Sequence, residues 1–111
     1  VPGGLAYEQA VYLLNEIIPY IRFSQKYNVP VYLGEFGLIK AAFENDKHGT
    51  DWVSDVIDIC KANEIGFNYH TFHETDFGLY QNGVDSSPGQ LNTALAETFK
   101  NILIARWYEY W

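Results

Sequence analysis

One carboxylate stands inside an apolar run. From Val29 to Gly37 the chain reads Val-Pro-Val-Tyr-Leu-Gly-Glu-Phe-Gly, and Glu35 is the single charged residue in it, between Gly34 and Gly37. An ionised carboxylate can attack an electrophilic carbon, and a neutral one can deliver a proton. Buried in such a run without a partner it costs several kcal/mol, so a carboxylate here needs either a structural partner or a chemical task. The run is short and bounded by Pro30 and glycine, with no helical period, which predicts a buried parallel strand. Glu35 falls at its carboxyl end, where α/β folds place their reactive side chains.

A second polar-aromatic stretch follows. Phe67-Asn68-Tyr69-His70-Thr71-Phe72 reads as another strand, and Phe77-Gly78-Leu79-Tyr80 as part of the loop after it. Together, Pro-Val-Tyr-Leu-Gly-Glu-Phe-Gly and this second stretch resemble the seventh and eighth strand segments of family-5 glycoside hydrolases. These are the cellulases, endoglucanases and mannanases built on a retaining (β/α)8 (TIM) barrel. The resemblance spans nearly the whole chain but only the last part of a barrel. It implies an α/β fold, a partial (β/α)8 barrel in the order helix–strand–helix–strand–helix with two parallel strands. It also implies retaining hydrolysis of β-1,4-linked polysaccharide, cellulose or β-glucan ahead of mannan, with Glu35 as nucleophile and no cofactor. The family's acid/base ends the fourth strand, on a segment absent from residues 1–111. Substrate contacts are expected from His70, Phe72, His73, Glu74, Phe77 and Tyr80. Many members carry a tryptophan as the floor under the sugar; here that place falls to His70 or a neighbour. The parent enzyme is expected to be secreted, and the partners to be polysaccharide and the remainder of the barrel or other copies of the chain. The reading from another class is a non-catalytic carbohydrate-binding or self-assembling barrel fragment that keeps the Glu35 strand.

Three other groups imitate chemical motifs whose chemistry is not assigned to them. Asn15-Glu16 imitates the family's Asn-Glu-Pro acid/base motif, but Ile17 follows and both residues fall on the polar side of a helix. His70, His73 and Glu74 have no Cys or Asp completing a zinc-like set, and residues three apart on a strand point to opposite sides, so no metal is expected. Cys60 has no partner thiol in the chain and lies on the apolar side of a helix, where it reads as a buried free thiol.

Composition narrows the class. The chain has 111 residues, 48% of them hydrophobic, which suits a folded domain and not a disordered tail. One domain, 1–111, is expected, far short of the ~250 residues of a full barrel. The net charge of −7 and scattered Lys and Arg disfavour nucleic acid. No apolar run approaches the ~20 residues of a membrane span. Nine Tyr, seven Phe and three Trp suit sugar stacking as well as an aromatic core.

The positioning elements follow from periodicity. Ala6–Tyr27 predicts a long amphipathic helix with Ala10, Val11, Leu14, Ile17, Ile18 and Ile21 inside, kinked or restarted at Pro19 and stopped at Asn28. Alternation along the first strand puts Val31, Leu33 and Glu35 on one face. Leu38–Gly49 is a polar loop in which His48 is exposed. Thr50 or Asp51 caps a second helix to about Asn63, with Trp52, Val53, Val56, Ile57 and Cys60 inward. Along the second strand, Asn68, His70 and Phe72 share a face. A turn-rich loop, Gly78–Gly89, leads to a last helix from about Gln90 that buries Leu91, Leu95, Phe99, Ile102 and Leu103. The aromatic tail Trp107–Trp111 needs a surface to pack on.

Overall fold

The computed structural model describes residues 4–82 and 89–110, with side chains for 7–82 and 89–102. Loop residues 83–88, the Leu103 side chain and the side chains of the aromatic tail lie outside what is described. Among the described residues three α-helices, α1 (Gly4–Tyr27), α2 (Gly49–Ala62) and α3 (Thr93–Tyr110), are separated by short strands. The chain forms two compact units: residues 1–36 with 51–69, and 37–50 with 70–111.

The first unit is a strand–helix–strand crossover preceded by α1. Strand β1 (Tyr32–Phe36) pairs in parallel with β2 (Gly66–Tyr69), and the helix between them is α2. The inward residues of α2 are those its periodicity assigns: Val53, Val56, Ile57 and Cys60 are at most 3% exposed. Each such side chain is worth about 1.5–3 kcal/mol of burial. Trp52 is half-buried and its ring lies 6.2 Å from Phe36, so it belongs to the packing.

Both helices of this unit end in the same way. Val29 N–H donates to the Ser24 carbonyl across Asn28 at φ 52, and Ile65 N–H donates to the Cys60 carbonyl across Glu64 at φ 56. Asn28 is thus the stop that its residue type suggests. In α2 the left-handed position is Glu64, one residue later than Asn63, whose side-chain amide instead caps the Ile59 carbonyl at 2.8 Å.

The inner stripe of α1 differs from the periodic expectation. Leu13 is the buried residue and Ile17 is half-buried, while Val11 and Leu14 are exposed. Gln9 donates to Asp55 of α2 at 2.9 Å, a contact that fixes which side of the helix packs. Apolar and aromatic residues surround α1, so sequence spacing alone admits more than one stripe. The helix runs unbroken through Pro19. Pro19 and Asn15 are both exposed, so water can serve the carbonyl that proline leaves unpaired.

The second unit is built on three two-residue strands that periodicity does not reveal. Strand β3 (His73–Glu74) pairs in parallel with β4 (Tyr80–Gln81), and β4 pairs antiparallel with β5 (Gln90–Leu91). Gln90 and Leu91, expected to open the last helix, are therefore strand, and Leu91 is 42% exposed. The helix begins after Asn92, whose Oδ1 accepts from Leu95 N–H as an N-cap. Leu95 is fully buried, as expected, and Phe99 and Ile102 are half-buried. The polar loop contains a short 3-10 helix, Lys40–Phe43, and left-handed residues at Asn45, Asp46 and His48.

Candidate active site

Glu35 sits one residue before the end of β1. The pairing there is irregular: Leu33 is opposite Phe67 and Phe36 is opposite Tyr69, so Gly34 and Glu35 together face Asn68 alone. That is a bulge, one extra residue on β1. It changes the expected alternation. Leu33 and Phe36 come to the same side, where Phe36 is 8% exposed among the rings of Trp52, Phe67 and Tyr69. Gly34 and Glu35 are exposed. The carboxylate is therefore exposed and does not share the side of half-buried Leu33, although strict alternation requires it. Bulges of this kind recur beside active sites because they re-aim one side chain without disturbing the packed face.

Gly37, the next residue but one, belongs to the second unit and is required by a close approach. A Cβ there would collide with the His70 carbonyl oxygen. No side chain larger than hydrogen fits without moving the backbone that carries His70.

The six residues expected to touch substrate, His70, Phe72, His73, Glu74, Phe77 and Tyr80, all fall in the second unit. Strand β2 ends at Tyr69, so the proposed shared face of Asn68, His70 and Phe72 does not continue past it. Two small groups form instead. His70 Nε2 lies 3.4 Å from Glu74 Oε2, and its ring packs edge-on against Phe77 at 5.5 Å. The carboxylate beside His70 in this unit is thus Glu74. Phe72, 63% exposed, lies 5.3 Å from the Tyr80 ring and 5.7 Å from His73.

Backbone bonds hold this second group. Leu79 N–H donates to Thr71 and Tyr80 N–H donates to Phe72, at 2.9 and 3.0 Å, while Asn82 N–H donates to Thr75. Gly78 makes the turn at φ 113, which other residues rarely adopt. The polar loop is tied to the same region: Lys40 N–H donates to the Asp76 carbonyl at 2.7 Å, and Lys40 Nζ donates to Asn82 Oδ1 at 3.2 Å.

Sequence reading missed Lys40 as a tether, and it missed two amides. Gln81 Nε2 and Asn92 Nδ2 are buried without an acceptor among the described residues. Such a donor costs about 1–3 kcal/mol. Gln81 stands in a stretch read as turn-rich loop and Asn92 in one read as the start of the last helix, and neither reading distinguishes a buried amide from a solvated one.

Among the described residues, no group of three or more His, Cys, Asp or Glu is placed to hold a metal ion. Their helices include none long and apolar enough to cross a membrane. Burial raises the Cys60 thiol above its ordinary value, keeping it neutral and inert.

No family model and no curated protein matches the chain. A solved structure does. The chain is similar to a hyperthermophilic endo-β-1,4-glucanase crystallised in complex with substrate, with a TM-score of 0.64 and 24% identity over 80% of this chain. The match covers 26% of the glucanase chain, so the present chain spans about a quarter of that protein's length. The fold is mixed α/β with parallel strands, and it fits a piece of a (β/α)8 barrel.

Proposed function

We propose that this chain is the nucleophile-bearing part of a retaining glycoside hydrolase acting on β-1,4-linked glucan. The observation that carries the reading is Glu35, a solvent-accessible carboxylate on a bulge at the carboxyl end of a parallel strand. The fold likeness to an endo-β-1,4-glucanase supports the class of reaction.

In that mechanism the ionised Glu35 attacks the anomeric carbon as the glycosidic bond breaks. A second carboxyl group, about 5–5.5 Å away, protonates the leaving oxygen and later activates water. That second group is supplied from outside residues 1–111, by the remainder of the barrel. Exposure suits the nucleophile's role, since substrate must reach the carboxylate.

His70, Phe72, His73, Glu74, Phe77 and Tyr80 serve substrate binding. The Phe72–Tyr80 pair offers apolar ring surface to a pyranose face, and the His70–Glu74 pair offers a donor and an acceptor to its hydroxyls. A polymeric glucan is met outside the cell, so the parent enzyme acts as a secreted protein. The second reading, a carbohydrate-binding fragment without turnover, is favoured by one observation: the exposed Phe72 ring is held by a backbone ladder that does not involve Glu35.

The deciding experiment measures reducing ends released from soluble β-glucan and from mannan, with Glu35→Gln as the control. Turnover that disappears in the variant supports the nucleophile. Binding without turnover in both proteins supports the second reading.

A further inference from the structure

Phe72 and Tyr80 form a ring pair carried on very short strands. Phe72 is exposed, the Tyr80 ring lies 5.3 Å from it, and β3 and β4 are two residues each. Strands that short are not stable by themselves. The separation of the rings is set by a ladder of backbone bonds: Leu79 N–H to Thr71, Tyr80 N–H to Phe72 and Asn82 N–H to Thr75. Beyond Thr75 the ladder stops. Its two limbs continue at Asp76 and Asn82, both exposed, where water competes for every hydrogen bond.

Lys40, from the preceding loop, holds both limbs at that point. Its backbone N–H donates to the Asp76 carbonyl at 2.7 Å, and its Nζ donates to Asn82 Oδ1 at 3.2 Å. Asp76 lies on the limb that starts at Phe72, and Asn82 on the limb that carries Tyr80. One residue thus clips the two sides together where the ladder ends. The clip has a firm base: Lys40 opens the 3-10 helix Lys40–Phe43, which packs so closely on Gly49 that a Cβ there would meet the Ala42 carbonyl oxygen and the Phe43 ring. All of these residues belong to the second unit, so the clip is complete within it.

We propose that Lys40 is a positioning residue for the sugar-binding surface, presetting the separation of the Phe72 and Tyr80 rings by clipping the Asp76 and Asn82 limbs. The part that names a sugar rests on the function proposed above, whereas the clip rests on the geometry alone. A surface ordered in advance binds without first losing conformational freedom, so loosening it lowers affinity. Lys40 itself acts only through the two limbs.

Three substitutions take the clip apart. Lys40→Met removes the Nζ bond and keeps the backbone one. Lys40→Pro removes both at a position that accepts proline: it opens a helix, and Ile39 before it has φ −66 and ψ 154, the extended conformation that a following proline favours. Asn82→Gly removes the acceptor and suits its φ of 60.

Two readouts on the 111-residue chain test the proposal: hydrogen exchange at the Leu79, Tyr80 and Asn82 amides, and affinity for a soluble β-1,4-glucan oligosaccharide by NMR titration. Exchange should quicken and affinity should fall by about fivefold in Lys40→Met and in Asn82→Gly, with no further change when the two are combined. Lys40→Pro should exceed both, and Lys40→Arg should keep the parent behaviour. Unchanged exchange in Lys40→Pro overturns the clip, as do additive changes in the combined variant. Quickened exchange with unchanged affinity makes Lys40 a structural tie and overturns its part in binding. If the unsubstituted chain binds no oligosaccharide, the glucan reading fails and the exchange rates decide the clip. If Lys40→Pro does not fold, Lys40→Met and Asn82→Gly carry the same decision.

Discussion

Phe36 meets Tyr69 edge to face, ring centroids 5.3 Å apart and planes at 87°, at the paired ends of β1 and β2. This contact lies beside the exposed Glu35. The buried ring anchors the strand end, so the carboxylate one residue earlier can leave the core without loosening the pair. A buried ring and an exposed carboxylate are thus adjacent side chains.

Glu35→Gln should therefore separate function from folding. The side chain is exposed, so stability should change by no more than about 0.5 kcal/mol in urea denaturation. In any active assembly containing this chain, turnover of β-glucan should fall to background. Residual turnover at the parent rate would remove Glu35 from the mechanism.

His70→Ala should weaken glucan binding more than it weakens the fold. The His70–Glu74 contact is partly solvated, so its loss should cost less than about 1 kcal/mol. Titration calorimetry with a soluble oligosaccharide, beside a thermal melt, distinguishes the two effects. A variant that fails to fold would make His70 structural.

Gly37→Ala should do the reverse. The added methyl meets the His70 carbonyl oxygen, a backbone atom that cannot rotate away. A loss of about 1–3 kcal/mol is expected, as for overpacking a filled site. An unchanged denaturation midpoint would mean that the two segments are held apart in solution.

Glu64→Gly should stabilise the protein. Glu64 holds φ 56 at the end of α2, a conformation costing a non-glycine residue about 1–2 kcal/mol. Glycine removes that strain but gives back about 0.5–1 kcal/mol in chain entropy. The expected result is a small rise in Tm. A fall would show that the Glu64 side chain makes a contact worth more than the strain.

Cys60 gives a pH dependence with a definite sign. Its folded pKa lies above the ordinary 9.0, so the unfolded chain ionises first as pH rises. The stability linked to the thiol is fully present below that ordinary value and is lost as pH climbs through the raised folded one. Cys60→Ala should flatten this alkaline loss in urea titrations carried to high pH. An identical alkaline profile in the variant would assign the loss to other groups.

Long periodic segments made most of the fold legible. The α2 stripe from Val53 to Cys60 reads directly because polar residues separate its apolar ones. The α1 stripe is ambiguous, because Tyr12, Leu13 and Leu14 in succession fit several faces, and the Gln9–Asp55 bond that chooses among them joins residues far apart in sequence. Strands β3 to β5 are two residues long, too short for any period. Glu35 was recognisable as a lone acid in an apolar run. Its exposure was not, because register between strands depends on pairing and not on local order. The His70–Glu74 pair was hidden for a similar reason: it forms past the end of β2, where alternation no longer applies.

The bulge also says something about length. Remove one residue between Leu33 and Phe36, and β1 would match β2 residue for residue, with Phe36 still opposite Tyr69 and still in the core. A strand shorter by one residue would thus fold onto the same partners. What the extra position changes is the direction in which a carboxylate leaves the sheet.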